Sequence, residues 1–205
     1  MSELILGYWG LPLKGQPIRY LLELGKQAYQ DKKYSNKDEW FQQDKLNLGL
    51  DFPNLPYIIH GDVKMTESQN IVAYIIDLTK QTNLLGADKT KFKIQNIVLF
   101  CNDLIGSFKP ISMKQGEERT QEIEKILPKI KLLEKDLNKK AHFFNNSLTL
   151  ADIYAYCIID NFQQLGGDSY KPFEESFKAF LDAFRSIPEI KAYIESDRCT
   201  RFQQQ

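Results

Sequence analysis

The sequence predicts two folded parts, an α/β domain followed by an all-helical domain. Three observations carry this. Short apolar runs of strand length alternate with helix-period patterns through Leu78. A polar, glycine-containing stretch from Lys80 to Thr90 then reads as a linker. Beyond it, apolar residues recur only at helical spacing. The expected domains are residues 1–82 and 90–205. A chain of 205 residues with 42% apolar and 26% charged residues can bury a core in each part.

Each element follows from its local pattern. Leu4 to Trp9 is an apolar run of strand length. Pro17 to Leu24 carries Ile18, Leu21 and Leu22 at helical spacing, with Pro17 suited to a first turn. Tyr29 to Tyr34 reads as a polar edge strand, and Lys37 to Leu46 as a weak helix. Tyr57 to Ile59 and Val63 to Met65 flank His60-Gly61-Asp62, a hairpin signal. Ser68 to Leu78 is a helix with Ile71, Val72, Ile75 and Ile76 on one side. The order is βαβ, then ββα.

In the second part, Phe92 to Phe108 and Glu118 to Lys140 read as helices. Ile123, Ile126, Leu127, Ile130, Leu133 and Leu137 form one stripe, and Pro128 is expected to bend the second helix. Thr149 and Asp152 form a capping pair at a further helix start, with Leu148 placed to staple onto Ile153.

Composition narrows the function. Twenty-seven basic and 27 acidic residues balance, so no nucleic-acid or anionic-membrane partner is expected. No apolar run approaches a membrane span, and the first residues lack the pattern of a secretory leader. Cys101, Cys157 and Cys199 are widely spaced, with no zinc pattern and no Cys-x-x-Cys, which fits a reduced, cytoplasmic protein. His60 and His142 stand apart without companion ligands, so no metal is expected.

Three features can carry chemistry. Pro56 stands at the mouth of a short strand. It is either an ordinary loop proline or a cis residue that leaves the Leu55 backbone free to pair with an extended peptide. Glu67 and Ser68 open a helix. They serve as a cap, or they hold a zwitterion: the helix N-terminus and the Ser hydroxyl take the carboxylate, and Glu67 takes the ammonium. Tyr8 ends the first strand and is the only hydroxyl or thiol side chain between Ser2 and Tyr20. In a βα unit that end of the strand is where ligands meet the sheet.

These residues occur within longer matching segments: LGYW at Leu6 to Trp9, IRYLLE at Ile18 to Glu23, LGLDFPNLPY at Leu48 to Tyr57, the Thr66-Glu67-Ser68 run and the Leu148 to Asp152 cap. In this order they resemble the cytosolic glutathione transferases, closest to the mu class and then sigma. The resemblance covers nearly the whole chain. It implies a thioredoxin-like N-terminal domain, an all-helical C-terminal domain and a homodimer. It also implies a detoxifying transferase with glutathione as co-substrate and no tightly bound cofactor.

The resemblance assigns roles by position. Tyr8 matches the tyrosine that hydrogen-bonds the glutathione sulfur, Trp9 a wall of the site, and Leu55 before Pro56 the backbone that pairs with the cysteinyl unit. Asn54 matches a conformation-setting or ligand-contacting neighbour, Ser68 the γ-glutamyl carboxylate site, and Lys45 with Trp40 the glycyl carboxylate site. Phe52 matches an aromatic key that enters a second subunit. Leu11, Leu13, Ile105, Phe108 and Phe202 are candidates for the electrophile site.

Four departures stand out. Trp40 and Lys45 are one residue further apart than the family pattern, and Pro12 stands where Arg is common. Glu67 stands where Gln is usual, and Gln95 where an Asp reaches across the dimer to the ligand's ammonium. The last pair implies a carboxylate moved from the neighbouring subunit to the home subunit. The expected reaction adds the glutathione thiolate to a hydrophobic electrophile. The alternatives are a glutathione-dependent isomerase of the sigma kind and a non-catalytic binder of glutathione or another ligand.

Overall fold

The computed structural model describes residues 2–142 and 147–202; of the polar tail, Gln203–Gln205 lies outside these residues. The chain divides into two compact units, Met1–Gln81 and Thr82–Gln205.

The first unit holds a four-stranded mixed sheet of order β2-β1-β3-β4, built from β1 (Leu4–Trp9), β2 (Gln30–Tyr34), β3 (Tyr57–His60) and β4 (Val63–Thr66). β1 runs parallel to β2 and antiparallel to β3, and β3 pairs antiparallel with β4. The β1–β2 crossover contains α1 (Gln16–Leu24), as a parallel connection requires. The hairpin between β3 and β4 turns at Gly61, whose φ of +60° suits glycine. α2 (Ser68–Leu78) packs beside α1, burying Ile71, Val72, Ile75 and Ile76.

β1 alternates as the period of a strand demands. Ile5 and Trp9 face a cluster of Tyr34, Trp40, Leu50 and Tyr57. Leu4, Leu6 and Tyr8 are buried on the opposite side. Gly7 is required by packing: a Cβ there would lie 2.1 Å from the Tyr57 ring.

The segment expected as a weak helix forms a π-turn, Glu39–Asp44, closed by the Lys45 N–H donating to the Trp40 carbonyl at 2.8 Å. Buried aromatic contacts decide this. Trp40 stacks on Tyr57 with ring centroids 5.9 Å apart and meets Tyr34 edge-on at 5.5 Å. Asp44, at the other end of the turn, accepts from Tyr34 Oη and Lys32 Nζ.

The second unit is helical: α3 (Thr90–Ile105), α4 (Phe108–Met113), α5 (Gly116–Leu137), α6 (Leu150–Leu165), α7 (Glu174–Arg185) and α8 (Pro188–Ile194). The expected Phe92–Phe108 helix is interrupted at Gly106-Ser107, so Phe108 opens a new helix. The expected linker carries a short turn of tight helix at Thr82–Leu85. α5 runs from Gly116 to Leu137 with Pro128 inside it, and its stripe is buried except for the half-buried Leu127. α6 is buried along most of its length. The cap at its start forms as expected, with the Thr149 N–H donating to Asp152 Oδ2 at 2.7 Å.

Candidate functional site

Sheet register brings the candidate residues to one end of the first unit. Gly7 pairs with Tyr57, and Tyr57 pairs with Thr66. The next row outward is therefore Tyr8 at the end of β1, Pro56 at the entrance to β3, and Glu67 at the exit of β4. Residues far apart in sequence converge because β1 and β4 end where β3 begins.

Tyr8 is 5% exposed. Burial pushes its hydroxyl up to about 12, against smaller lowering effects of the Lys14 backbone N–H and the Arg19 charge. It is thus a neutral phenol at physiological pH. Its oxygen accepts from the Lys14 N–H, and among the described residues none takes its proton. A buried neutral hydroxyl with its proton free can donate a hydrogen bond to an anion. Gly15 sets the ring's place, since a Cβ there would lie 2.6 Å from Tyr8 Cδ1.

The Leu55–Pro56 bond is cis. Leu55 is half-buried against the Tyr34–Trp40–Tyr57 cluster, and its N–H is held by Asn54 Oδ1 at 2.9 Å. Thr66 Oγ1 donates to the Phe52 carbonyl at 2.9 Å, tying the Asp51–Asn54 loop to the end of β4. Phe52 itself is 78% exposed.

Glu67 precedes α2 with φ +65° and ψ 105°, a backbone region that non-glycine residues occupy only under constraint. Its side chain makes no cap hydrogen bond and is exposed, while Ser68 beside it is buried. The first turn of a helix presents N–H groups without intrahelical acceptors, so this corner suits a carboxylate next to an ammonium.

A π-turn joins Trp40 to Lys45. An α-turn bonds residues four apart, whereas a π-turn bonds residues five apart. The Lys45–Trp40 backbone bond spans five residues, so Lys45 follows Trp40 by one turn of this π-type segment. Lys45 Nζ lies 5.3 Å from the Phe41 ring centroid. Trp40 is 2% exposed, so it supports this segment from the core.

The remaining candidates are differently placed. Trp9 is half-buried and meets Tyr34 and Phe41. Leu11 is half-buried, whereas Leu13 is buried. In the helical unit, Ile105 and Phe108 are fully buried and fill its core. Phe202 is buried too, its N–H donating to Gln164 Oε1 at 3.2 Å. Gln95 is exposed on α3. Sequence reasoning missed Gly7, Gly15, Arg19 and Asp31. The available signal was Arg19 itself, a cation next to Ile18 and three residues before Leu22 on an apolar helix face.

His60 Nδ1 lies 2.8 Å from Tyr74 Oη, and among the described residues no group of His, Cys, Asp or Glu could hold a metal ion. No described helix is long and apolar enough to cross a membrane.

Comparison with known proteins agrees with this architecture. A family profile described as glutathione S-transferase, N-terminal domain, matches residues 5–77. One described as glutathione S-transferase, C-terminal domain, matches residues 102–197. Glutathione S-transferase Y1 of Cricetulus longicaudatus is 32% identical over 210 residues, covering 97% of this chain and 93% of that protein. Glutathione S-transferase Mu 1 of Homo sapiens is 29% identical over 208 residues, covering 95% and 92%. Among solved structures, the glutathione S-transferase Blo t 8 superposes with a TM-score of 0.72 at 28% identity, covering 95% of this chain and 93% of that one. Rat hPGDS complexed with a quinoline shares the fold at a TM-score of 0.74, 21% identity and 96% and 100% coverage. With its two domains in order, and with relatives aligned along almost its full length, the chain belongs to the glutathione S-transferase family.

Proposed function

We propose that this glutathione transferase adds the thiolate of glutathione to hydrophobic electrophiles and that Tyr8 activates the sulfur. The observation that carries the reading is the buried, neutral Tyr8 hydroxyl, whose proton no described residue takes, at the sheet end shared with Leu55-Pro56 and Glu67-Ser68. A free thiol has a pKa near ~8.5, and each unit of lowering requires about 1.4 kcal/mol of preferential thiolate stabilisation. One preorganised donor in a dry site contributes about 2.7–4 kcal/mol, which is enough. The sulfur–hydrogen bond breaks and the proton leaves to solvent; the sulfur lone pair then forms the new bond to the electrophilic carbon, and with an aryl halide the carbon–halogen bond breaks and halide leaves with its electron pair.

The rest of the site holds the tripeptide. The Leu55 backbone pairs with the cysteinyl unit as an added strand, the Leu55 N–H exchanging its Asn54 partner for the ligand. Ser68 and the α2 N-terminus take the γ-glutamyl carboxylate, and Glu67 takes the ammonium from the home chain. The exposed, neutral Gln95 has only a dipole to offer there. Lys45 meets the glycyl carboxylate, with Trp40 behind it and Trp9 as a wall. Leu11 is the one electrophile-site candidate with exposed surface in the first unit.

The exposed Phe52 is proposed as a key into a second copy, the role its position matches in the family pattern. A cytoplasmic, detoxifying role completes the proposal; that Cys101, Cys157 and Cys199 form no disulfide supports the reducing compartment. The test is turnover of glutathione with a general aryl halide, together with sedimentation. Conjugation by a dimer is expected. A protein without turnover that still binds glutathione would overturn the enzymatic reading, and a monomer would overturn the Phe52 key.

A further inference from the structure

Arg19 is a cation with no exposed surface, held inside the first unit on α1. A buried charge is costly unless it is paired and hydrogen-bonded, so its partners identify what it is built to hold. Asp31 on β2 takes the guanidinium in a fork, Nε to Oδ2 at 3.0 Å and Nη2 to Oδ1 at 3.1 Å. This leaves Nη1 to reach the Leu11 carbonyl and Gln16 Oε1, both at 3.3 Å, and lets Nη2 extend to the Trp9 carbonyl at 3.5 Å. The Arg19 backbone N–H adds a bond to the Gly15 carbonyl at 3.1 Å.

The backbone acceptors, the Trp9, Leu11 and Gly15 carbonyls, belong to the segment that joins β1 to α1. Trp9 follows Tyr8 directly, Leu11 lies two residues further on, and a Cβ on Gly15 would lie 2.6 Å from the Tyr8 ring. Between the last two is Lys14, whose N–H meets the Tyr8 oxygen. The Arg19 side chain therefore holds the loop at the Trp9 and Leu11 carbonyls, and the same loop meets the tyrosine through the Lys14 N–H. A guanidinium can do this because its planar fork presents five donors in a fixed geometry. A lysine at the same place supplies the charge but not the fork.

We propose that Arg19, oriented by Asp31, is the positioning residue for Tyr8: it holds the Trp9–Gly15 loop so that the hydroxyl stays aimed at the substrate sulfur. The proposal rests on the reading that Tyr8 activates the glutathione thiol. Arg19 does not touch substrate in this role; it acts through the loop.

The test compares Arg19→Lys, Asp31→Asn, Tyr8→Phe and the double variant Arg19→Lys with Tyr8→Phe. Each is titrated for thiolate absorbance with glutathione bound, and kcat and KM are measured separately. Arg19→Lys retains the charge, so it separates geometry from field. It is expected to raise the bound-thiol pKa by about one unit, a tenfold smaller thiolate fraction at pH below that value. The loss should fall on kcat, with KM for glutathione little changed, because apart from Trp9 the proposed tripeptide contacts lie on other segments. Asp31→Asn should shift the thiol in the same direction by less. In the Tyr8→Phe background, Arg19→Lys should add nothing to the shift.

A folded Arg19→Lys protein with an unchanged thiol pKa overturns the proposal. So does a shift of equal size with and without Tyr8, which would show an effect that bypasses the tyrosine. If Arg19→Lys does not fold, Asp31→Asn carries the same readouts, and no shift there is equally fatal. An unshifted thiol in Tyr8→Phe itself would instead overturn the Tyr8 reading and bring down the proposal with it.

Discussion

Both units place a buried tyrosine near an arginine–aspartate pair, and the two arrangements serve opposite ends. In the helical unit, Arg185 Nε donates straight to Tyr156 Oη at 2.9 Å, and the Tyr156 hydroxyl gives its proton to Asp160 at 3.2 Å. Arg185 Nη2 closes the triangle on Asp160 at 2.7 Å. In the sheet unit, Arg19 binds Asp31 and the backbone carbonyls of a loop. Tyr8 receives one N–H from that loop and keeps its own proton to give. Burial raises both phenols, so both stay neutral at physiological pH. The difference lies in the partner. A hydroxyl that already donates to a carboxylate stabilises its own fold. One that only accepts is left able to stabilise an incoming anion.

Removing the hydroxyl from Tyr8 tests this contrast most severely. Tyr8→Phe should lower kcat by roughly 10²–10³-fold, the usual loss for one preorganised donor, and raise the bound-thiol pKa. Because Tyr8 keeps its proton until about 12, any rise of rate with pH near neutrality belongs to the thiol. Stopped-flow kinetics and thiolate absorbance measure both; unchanged values would mean that Tyr8 is only packing.

Gly15→Ala should move the same hydroxyl without removing it. The new Cβ would lie 2.6 Å from Tyr8 Cδ1, so the ring or the loop must shift. Misplacement on the order of 1 Å costs up to about 10²-fold in rate. Full activity in a crystal-verified Gly15→Ala protein would show that the ring's seat is not critical.

The opposite pattern is expected at Tyr156. Tyr156→Phe leaves Asp160 and Arg185 each short of a partner, a loss of about 1–3 kcal/mol in unfolding by denaturant. The bound-thiol pKa should not move. A thiol shift without loss of stability would contradict the division of labour drawn between the two tyrosines.

Glu67 sharpens the comparison from the ligand's side. Glu67→Gln removes about 1.4 kcal/mol or more of charge-assisted binding, about tenfold in glutathione affinity by calorimetry. Gln95→Ala should cost much less, and Gln95→Asp should recover part of the Glu67→Gln loss if Gln95 faces a partner's site. Equal small losses with no recovery would place the ammonium elsewhere.

Much of this was written into local sequence. The apolar run at Leu4–Trp9, the helix period at Ile71–Ile76 and the Thr149–Asp152 cap each depend on neighbours within a few residues, so their chemistry is readable in order along the chain. Tyr8, Pro56 and Glu67 were legible as candidates for the same reason: each stands at the end of an element. The structure differed where a contact between distant segments outweighed local preference. Glu39–Asp44 is wound into a π-turn by Trp40 packing on Tyr57, 17 positions away in the numbering, and by Asp44 binding Lys32 and Tyr34. Helical periodicity could not distinguish core from site at Ile105 and Phe108, because an apolar side chain looks the same in either place.

The sequence by itself determined the strand and helix order, the chemical types at the sheet's end, and which hydroxyl stands there. Only the tertiary structure decided how those groups behave. Register aligned Tyr8, Pro56 and Glu67 in one row, burial kept the tyrosine neutral, and Arg19 found its anchor in Asp31, 12 positions further along the chain. The physical reason is range. Propensity, capping and periodicity act between near neighbours, whereas desolvation and the pairing of a buried charge depend on whatever the fold brings alongside.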